Sequence, residues 1–295
     1  MSLAKLMKGK SFKDYKHKVK YPLVAEIKLD EIRLDVRTTR GEETKCEASE
    51  LGQRVFFRSY ADKPLHNLRA WDERFNGAMH AMGIERLDMG VLINRSFNDT
   101  YRYVRSSKGL PDDLKLVQVE FLLFDHPEQR MEFRERMHYL DRLADHMRTY
   151  ELPVIRPPRV EVNSEEYVYR TYAAARDEGY EGLMLKTLDH KYELGKRING
   201  WLKVKPEEDA DGIITEVLQA HSLEGTPLDR AGSVRIVCED GSSADCGGID
   251  HELGRTMLAH PEQFIGQWAE FVYMERDRQG GYRHPRFNRI REAKA

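Results

Sequence analysis

Cysteine is scarce in this chain, which has only three among 295 residues. Cys46, Cys238 and Cys246 are widely separated, and they have neither the spacing of metal ligands nor the even number of a disulfide framework. The pattern argues against structural zinc and against a fold held together by disulfides. It is typical of a protein in a reducing compartment.

Long apolar segments are also lacking. No run reaches the roughly 20 apolar residues that a membrane helix needs. The N-terminal segment is rich in lysine and has no apolar region of the kind found in signal peptides. We therefore expect a cytosolic protein that does not insert into a membrane.

A strong net charge is absent as well, since the formal charge is −2 at pH 7. Any binding to a polyanion must then come from local patches. The two ends of the sequence offer such patches, although each could instead be a solvated terminus. The basic residues are Lys5, Lys8, Lys10, Lys13, Lys16, Lys18 and Lys20 at the start, and Arg278, Arg283, Arg286, Arg289, Arg291 and Lys294 at the end.

What the sequence does contain is the composition of a globular protein, with 40% hydrophobic and 33% charged residues. Helical periodicity at about 64–82, 130–148 and 164–178 lies between strand-like runs, so we predict an α+β protein. Asn163 or Ser164 is the expected N-cap of the last helix. An acidic, proline-marked stretch at 205–212 indicates a domain connection, and the glycine-rich turns after it favour a small barrel. The predicted strands are 23–37, 116–124, 182–186, 201–205, 212–218, 233–238 and 268–274.

Lys28 is the best candidate for a covalent nucleophile. On an alternating strand, Glu26, Lys28 and Asp30 would project to one face, while Ile27 and Leu29 would project to the other. This arrangement places one amine among acids above an apolar floor, as in a pocket. A half-buried strand with a solvated charged face remains the alternative.

Two further runs carry chemistry. Trp201, Lys203 and Lys205 would share one face of a strand, with the two lysines about 7 Å apart, a spacing that suits neighbouring phosphates. A solvated edge strand is the alternative. Glu181 precedes a short apolar strand and could bind a hard cation such as Mg²⁺, or it could be an ordinary turn residue.

The order of these runs along the chain resembles the collinear motif set of the covalent nucleotidyltransferases. It is most similar to the small ATP-dependent DNA ligases of phages and large DNA viruses. The resemblance covers about residues 22–291. It is carried by Glu26-x-Lys28-x-Asp30-x-x-Arg33, Phe57-Arg58-Ser59, Val119–Asp125, Glu181–Lys186, Trp201-Leu202-Lys203-Val204-Lys205 and Arg283-His284-Pro285-Arg286-Phe287.

The resemblance implies a nucleotidyltransferase domain of the ATP-grasp-like adenylation type at 1–206 and an OB-fold β-barrel at 207–295. It implies a monomer that uses ATP and Mg²⁺ to seal nicks in double-stranded DNA through a lysyl-AMP and a DNA-adenylate, in the host cytosol if the protein is viral. The implied roles are nucleophile for Lys28, adenine recognition for Glu26, base stacking for Phe124, ribose and phosphate contacts for Arg33 and Arg58, α-phosphate contacts for Lys203 and Lys205, and Mg²⁺ binding for Glu181 and Asp30.

Three departures from the family pattern predict weakened catalysis. Glu31 stands where the family has a glycine that can adopt a positive φ. The run Leu87–Val91 has Gly90 where the family has an acid, and Glu120 is a possible substitute for that acid. The segment Arg291-Glu292-Ala293-Lys294 matches the usual terminal motif only in part.

Three other functions remain open at this stage. An mRNA capping guanylyltransferase shares the nucleophilic lysine and the barrel, and an RNA ligase shares the lysine. A catalytically inactive nick-binding protein would explain Glu31 and Gly90. Covalent labelling by ATP, by GTP or by neither nucleotide would separate these functions.

Overall fold

The computed structural model describes residues 4–38, 54–106, 114, 118–222, 224–277 and 279–291. The chain divides into two compact units, Met1–Val204 and Lys205–Ala295. Helices and strands are mixed along the chain, which confirms the predicted mixture of α and β structure. Cys46 and residues 292–294 of the terminal motif lie outside the described residues.

The first unit is built on two five-stranded sheets, with strand orders β1-β10-β9-β2-β8 and β4-β3-β5-β6-β7. Its strands are β1 (Lys8–Ser11), β2 (Leu23–Lys28), β3 (Ile32–Thr38), β4 (Val55–Ser59), β5 (Arg86–Ile93), β6 (Val119–Asp125), β7 (Val154–Ile155), β8 (Arg159–Val162), β9 (Gly182–Thr187) and β10 (Arg197–Val204). Its α-helices are α1 (Phe12–Tyr15), α2 (Asp72–Ala81), α3 (Phe97–Arg105), α4 (Phe133–Arg148) and α5 (Glu165–Asp177), and its 3₁₀ helices are Lys16–Lys18 and His66–Trp71.

The core of the second sheet explains why these segments fold as they do. All eight residues of β5 are buried, and Phe75 of α2 packs edge-on against Phe121 of β6 with ring centroids 4.9 Å apart. Leu140 and Leu143 of α4 join the same cluster. Helix α5 begins as predicted, because the Ser164 hydroxyl accepts a hydrogen bond from the backbone N–H of Tyr167 at 3.1 Å.

The strand predicted at 23–37 is in fact two strands in different sheets. β2 pairs with β8 and β9 in the first sheet, whereas β3 pairs with β4 and β5 in the second. The connection 29–31 carries the chain between the sheets. Asp30 therefore does not share a strand face with Glu26 and Lys28 as predicted, because the alternation ends at the crossover.

The N-terminal segment is part of the folded unit. β1 pairs with β10 in parallel, and Leu6, Met7 and Phe12 are buried. The interpretation of the first lysines as a solvated tail is therefore wrong for the described residues, because they flank a strand and core side chains.

The second unit is one antiparallel sheet, in the order β13-β12-β11-β14-β15, with one helix. Asp250 is the N-cap of helix α6 (His251–Ala259), and its carboxylate accepts from the N–H of Glu252 at 2.9 Å. Met257 of this helix lies in the sheet core with Ile236 and Phe271. Between the two edge strands, the N–H of Phe287 donates to the carbonyl of Gly247 at 2.8 Å. The elements are β11 (Glu208–His221), β12 (Pro227–Cys238), β13 (Ser243–Cys246), α6 (His251–Ala259), the 3₁₀ helix Pro261–Gln263, β14 (Trp268–Tyr273) and β15 (Arg286–Ile290).

Across the described ranges of both units, none of the helices has the length and apolar character required to cross a membrane.

Candidate active site

A pocket in the first unit gathers side chains from both sheets and from the connection between them. Five residues that the sequence singled out for catalysis or nucleotide binding line it together: Glu26, Lys28, Arg33, Phe124 and Lys203. The rest of the lining is Ile27, Leu29, Glu31, Pro157, Met184, Lys186 and Trp201. These residues are up to 177 positions apart in sequence (203 − 26), so only the folded chain makes the pocket.

Lys28 lies at the end of β2, and its side chain is 18% exposed. Its ammonium group donates to the carboxylate of Glu181, which follows the turn after α5. Burial alone would lower the pKa of Lys28, but the carboxylates of Glu31, Glu181 and Asp30 outweigh this effect and raise the pKa. Lys28 is thus a charged ammonium in the nucleotide-free pocket.

Glu26 forms the deep end of the pocket and is held by two cations. Its carboxylate oxygens accept from Lys186 at 2.8 Å and from Arg156 at 3.3 Å, and both partners are almost fully buried. Neither cation was identified from the sequence. The sequence did offer one clue to Lys186: it lies two residues after Met184 on β9, and residues two apart share a strand face, so both would face the pocket.

Lys186 is the more unusual of these cations. Its ammonium group donates to the carbonyl of Phe124 at 3.2 Å and lies 4.7 Å and 4.6 Å from the ring centroids of Phe133 and Trp201. Burial lowers the pKa of Lys186, even though the Glu26 carboxylate favours the charged form. The deep end therefore combines a clamped carboxylate with a cation enclosed by aromatic rings.

Arg33 is fixed in place before any ligand arrives. Its Nε donates to Asp88 at 2.8 Å and its Nη2 donates to the carbonyl of Met7 at 2.7 Å. The hydroxyl of Tyr192 also donates to Asp88, at 2.7 Å. The guanidinium lies 5.6 Å from the Trp201 ring centroid. This rigid support gives the pocket a positioned positive wall.

A buried network supports the Trp201 side of the pocket. Trp201 Nε1 and Arg136 Nη2 both donate to His190 Nε2, at 2.8 Å and 3.0 Å. Nε2 must then be an acceptor, so the ring proton lies on Nδ1, which donates to the carbonyl of Thr187 at 2.6 Å. Burial lowers the pKa of His190 to about 4, and the ring is neutral. Arg136 is itself paired with Asp125 at 2.6 Å, both side chains being fully buried.

Several residues singled out from the sequence are not on the pocket lining, namely Arg58, Lys205, Glu181, Asp30 and Glu120. Arg58 lies on β4 and donates to the carbonyl of Asp62 at 3.3 Å. Glu120, the possible substitute for the acid missing at position 90, is buried on β6 and accepts from Arg95 at 3.2 Å. Phe124 lies four residues further along β6 and lines the pocket, whereas Glu120, near the start of the strand, does not. Lys205 begins the second unit.

Glu31 does not behave as the sequence predicted. Its backbone φ is not left-handed, so the glycine that the family has here is not needed for backbone conformation in this chain. The prediction that Glu31 weakens catalysis because the backbone needs a glycine here is therefore wrong. Its side chain instead lines the pocket, where burial raises its pKa and the Lys28 ammonium opposes that shift.

The carboxylates around Lys28 could hold a metal ion together with substrate phosphates, but within the described part of the chain they do not form a metal site made of protein ligands alone. Among the described residues, no group of three or more His, Cys, Asp or Glu side chains is gathered as a metal cage. Glu181 binds the Lys28 ammonium directly, and Glu31 lies close enough to affect its charge. Mg²⁺ is commonly held by one or two carboxylates together with substrate phosphates. The donor set fits that arrangement.

The basic residues of the second unit are largely neutralised within it. The pairs are Arg283 with Glu275 at 2.6 Å, Arg286 with Glu207 at 2.7 Å, Arg289 with Glu270 at 2.9 Å, and Arg291 with Glu270 and with Asp211, each at 2.8 Å. Hydrogen bonds from Arg291, Arg289 and Asn288 lower the pKa of Glu270 to about 2. Arg278 and Lys294, also part of the predicted patch, lie outside the described residues.

Comparisons of this chain with known proteins match it to DNA ligases, as the residues of the pocket predict. A family model of the ATP-dependent DNA ligase domain matches residues 93–205. The DNA ligase of Enterobacteria phage T3 is 36% identical over 139 residues, which cover 44% of this chain and 39% of the phage protein. The chain therefore spans well under half of that relative.

Solved structures of ligases share the fold. A Lig E DNA ligase superposes with a TM-score of 0.68 at 20% identity and covers 98% of this chain and 100% of its own. The ATP-dependent ligase of bacteriophage T7, in complex with ATP, superposes with a TM-score of 0.54 at 20% identity and covers 97% of this chain and 98% of its own. The ordered motifs, the pocket that they build and the match of residues 93–205 to the ligase domain thus point in the same direction: this chain is similar in sequence and in fold to ATP-dependent DNA ligases.

Proposed function

We propose that this protein is an ATP-dependent DNA ligase that seals nicks in duplex DNA. The observation that carries the proposal is the amine of Lys28, partly exposed in a pocket whose deep end is the clamped carboxylate of Glu26 and whose walls include Arg33 and Lys203. A nucleotide fits this order, with the base at Glu26 and the α-phosphate at Lys28. Phe124 lies on the wall between them and is the proposed stacking partner of the base.

The covalent chemistry would take place on Lys28. Its Nζ forms a bond to the α-phosphorus of ATP, the bond from that phosphorus to the bridging oxygen breaks, and pyrophosphate leaves with the electron pair while Nζ loses a proton. The adenylate then moves to a DNA 5′-phosphate and Lys28 is released. The 3′-hydroxyl of the nick finally attacks that 5′-phosphate, and AMP leaves.

Lys28 must lose its proton for the first step. An ordinary lysine pKa near 10.4 corresponds to about 4.6 kcal/mol for the neutral form at pH 7, and the surrounding carboxylates raise the pKa further. Positive charge brought close to the amine by Arg33 and Lys203 would oppose this effect, because it disfavours the ammonium form. We propose that these cations, with Lys205 two positions further along, hold the α-phosphate in line with Lys28.

Mg²⁺ would bind with the triphosphate at Glu181, and it would supply charge neutralisation of the phosphates. A Glu181 carboxylate that binds Mg²⁺ no longer stabilises the ammonium form of Lys28. Asp30, which also favours the ammonium form, is a more distant candidate for the same role.

We further propose that the first unit is the nucleotidyltransferase domain and the second is an OB-fold, with the boundary near residue 206. Support for the OB-fold comes from the five-stranded antiparallel sheet and from the bond that joins β15 to the segment after β13. A cytosolic location is supported by Cys238 and Cys246, which are free thiols among the described residues.

Labelling with radioactive nucleotide tests the function. Incubation with α-labelled ATP and a divalent metal should label the protein through denaturing electrophoresis, and GTP should not. Lys28→Ala should abolish the label, while the control Lys16→Ala, whose pairing with Glu165 lies outside the pocket lining, should retain it. The labelled enzyme should seal nicked duplex.

Each other outcome points to a different function. Label from GTP would replace the proposal with a capping enzyme. Binding of nicked duplex without label from either nucleotide would replace it with an inactive binding protein. Label that survives Lys28→Ala would place the nucleophile elsewhere.

A further inference from the structure

Glu31 and Gly90 compete for one space in the pocket wall. Gly90 on β5 pairs with Arg33 on β3, so it lies beside the connection that carries Glu31. A Cβ atom placed on Gly90 would lie 2.6 Å from Cγ of Glu31 and 2.8 Å from Cζ of Phe124. Both separations are shorter than carbon atoms tolerate without covalent bonding. A side chain at position 90 and the present side chain of Glu31 therefore exclude each other.

Glu31 and Phe124, which a side chain at position 90 would meet, belong to the same pocket lining as Glu26 and Lys28. Glu26 is at the deep end, and the two cations that hold it, Lys186 and Arg156, also donate to the carbonyl of Phe124. Lys28 is two residues along the same strand, about 7 Å away by strand rise. The sugar of a nucleotide that joins these ends would pass the wall made by Phe124 and Glu31.

We infer that Glu31 is the carboxylate of this pocket that accepts hydrogen bonds from the hydroxyls of the nucleotide sugar, and that Gly90 exists to make room for it. The inference rests on the proposed function, because it assumes a nucleotide bound between Glu26 and Lys28. An ionised carboxylate only accepts hydrogen bonds, and its two oxygens match two neighbouring hydroxyl donors. The carboxylate expected at position 90 is therefore supplied from the adjacent connection. Glu31 determines sugar specificity and is not a defect.

The first test is binding selectivity. Equilibrium dissociation constants are measured for ATP, 2′-deoxy-ATP and 3′-deoxy-ATP with the full chain and with Glu31→Met, which keeps the side-chain length and removes the acceptors. The full chain should prefer ATP to at least one deoxy nucleotide by tenfold or more, and Glu31→Met should reduce that preference to within about twofold. An unchanged preference in Glu31→Met, or no preference in the full chain, would refute the sugar contact.

The second test is an exchange of the two residues, with thermal unfolding of the nucleotide-free protein as the readout. Gly90→Glu should lower the melting temperature because its Cβ meets Glu31 and Phe124. Adding Glu31→Gly should recover part of that loss, so the effects of the two changes should not add. If the changes in melting temperature caused by the two substitutions were strictly additive, the claim that residues 31 and 90 occupy one space would be overturned.

The results distinguish the two proposals. A full chain that binds ATP with sugar preference but forms no lysyl-AMP would refute the ligase function and keep the role of Glu31. A full chain that forms lysyl-AMP while Glu31→Met keeps its selectivity would refute the role of Glu31 alone.

Discussion

Replacement of Lys186 by methionine should destabilise the first unit strongly. Lys186 and Glu26 are 1% and 2% exposed, and their ion pair has no solvent to replace it. Removing one partner of a buried pair typically costs about 3–5 kcal/mol, because the other charge stays buried without compensation. Arg156 still contacts Glu26, at 3.3 Å, so we expect the lower end, about 3 kcal/mol.

A matched control is available in the same unit. Lys196 pairs with Glu193 at 2.5 Å, but the two side chains are 67% and 43% exposed. Surface pairs contribute about 0–1 kcal/mol, so Lys196→Met should change the free energy of unfolding by no more than that. Both variants replace lysine by methionine in a lysine–glutamate pair, so the comparison isolates burial.

Denaturant unfolding measures the effect. Fluorescence of Trp71 and Trp201 reports on the first unit when Trp268, in the second, is replaced by phenylalanine. The double variant Lys186→Met with Glu26→Gln should regain part of the lost stability, because the uncompensated charge is gone. Equal free energies of unfolding for Lys186→Met and Lys196→Met would refute the claim that the deep end depends on this buried pair.

Three further predictions follow from the site and from the second unit. His190 has a pKa of about 4 in the folded state against 6.5 when unfolded, so its contribution to stability is complete above pH 6.5 and is lost as the pH falls through 4. The loss in free energy of unfolding should reach about 3 kcal/mol in acid denaturation curves and should disappear in His190→Gln. Lys203→Ala should slow lysyl-AMP formation about tenfold or more in single-turnover assays, whereas Arg58→Ala, whose side chain is off the pocket lining, should leave the rate within about twofold. Equal effects of the two substitutions would show that position on the pocket lining does not determine which residues contact the nucleotide. Glu270→Gln should release Arg289 and strengthen binding to nicked duplex with a steeper dependence on salt, and an unchanged salt dependence would mean that this arginine does not contact DNA.

The parts of the site that lie on single strands could be predicted from the sequence. Glu26 and Lys28 were expected to share one pocket because residues two apart share a strand face, and both line it. Ile27 and Leu29, expected on the opposite face, line the same pocket, so the alternation alone does not define the lining. Lys203 could be recognised in the same way from its run. The mixture of helices and strands and the N-cap at Ser164 also follow from local patterns.

The remaining parts depend on contacts between distant segments. Arg156 reaches Glu26 from 130 residues further along the chain, and no local pattern marks it as a partner. The break between β2 and β3 was missed because the alternation continues past the crossover at 29–31. Glu31 was interpreted as a defect because the sequence places it 59 residues from Gly90 (90 − 31), while the fold places both in one wall.

The central claim is that Lys28 is the residue that carries the nucleotide. Peptide mapping by mass spectrometry, after incubation of the full chain with ATP and a divalent metal, tests this claim most directly. The account predicts a covalently attached AMP on the peptide that contains Lys28 and on no other peptide. AMP attached to Lys203 or to any other residue, or a protein that remains unmodified, would contradict it.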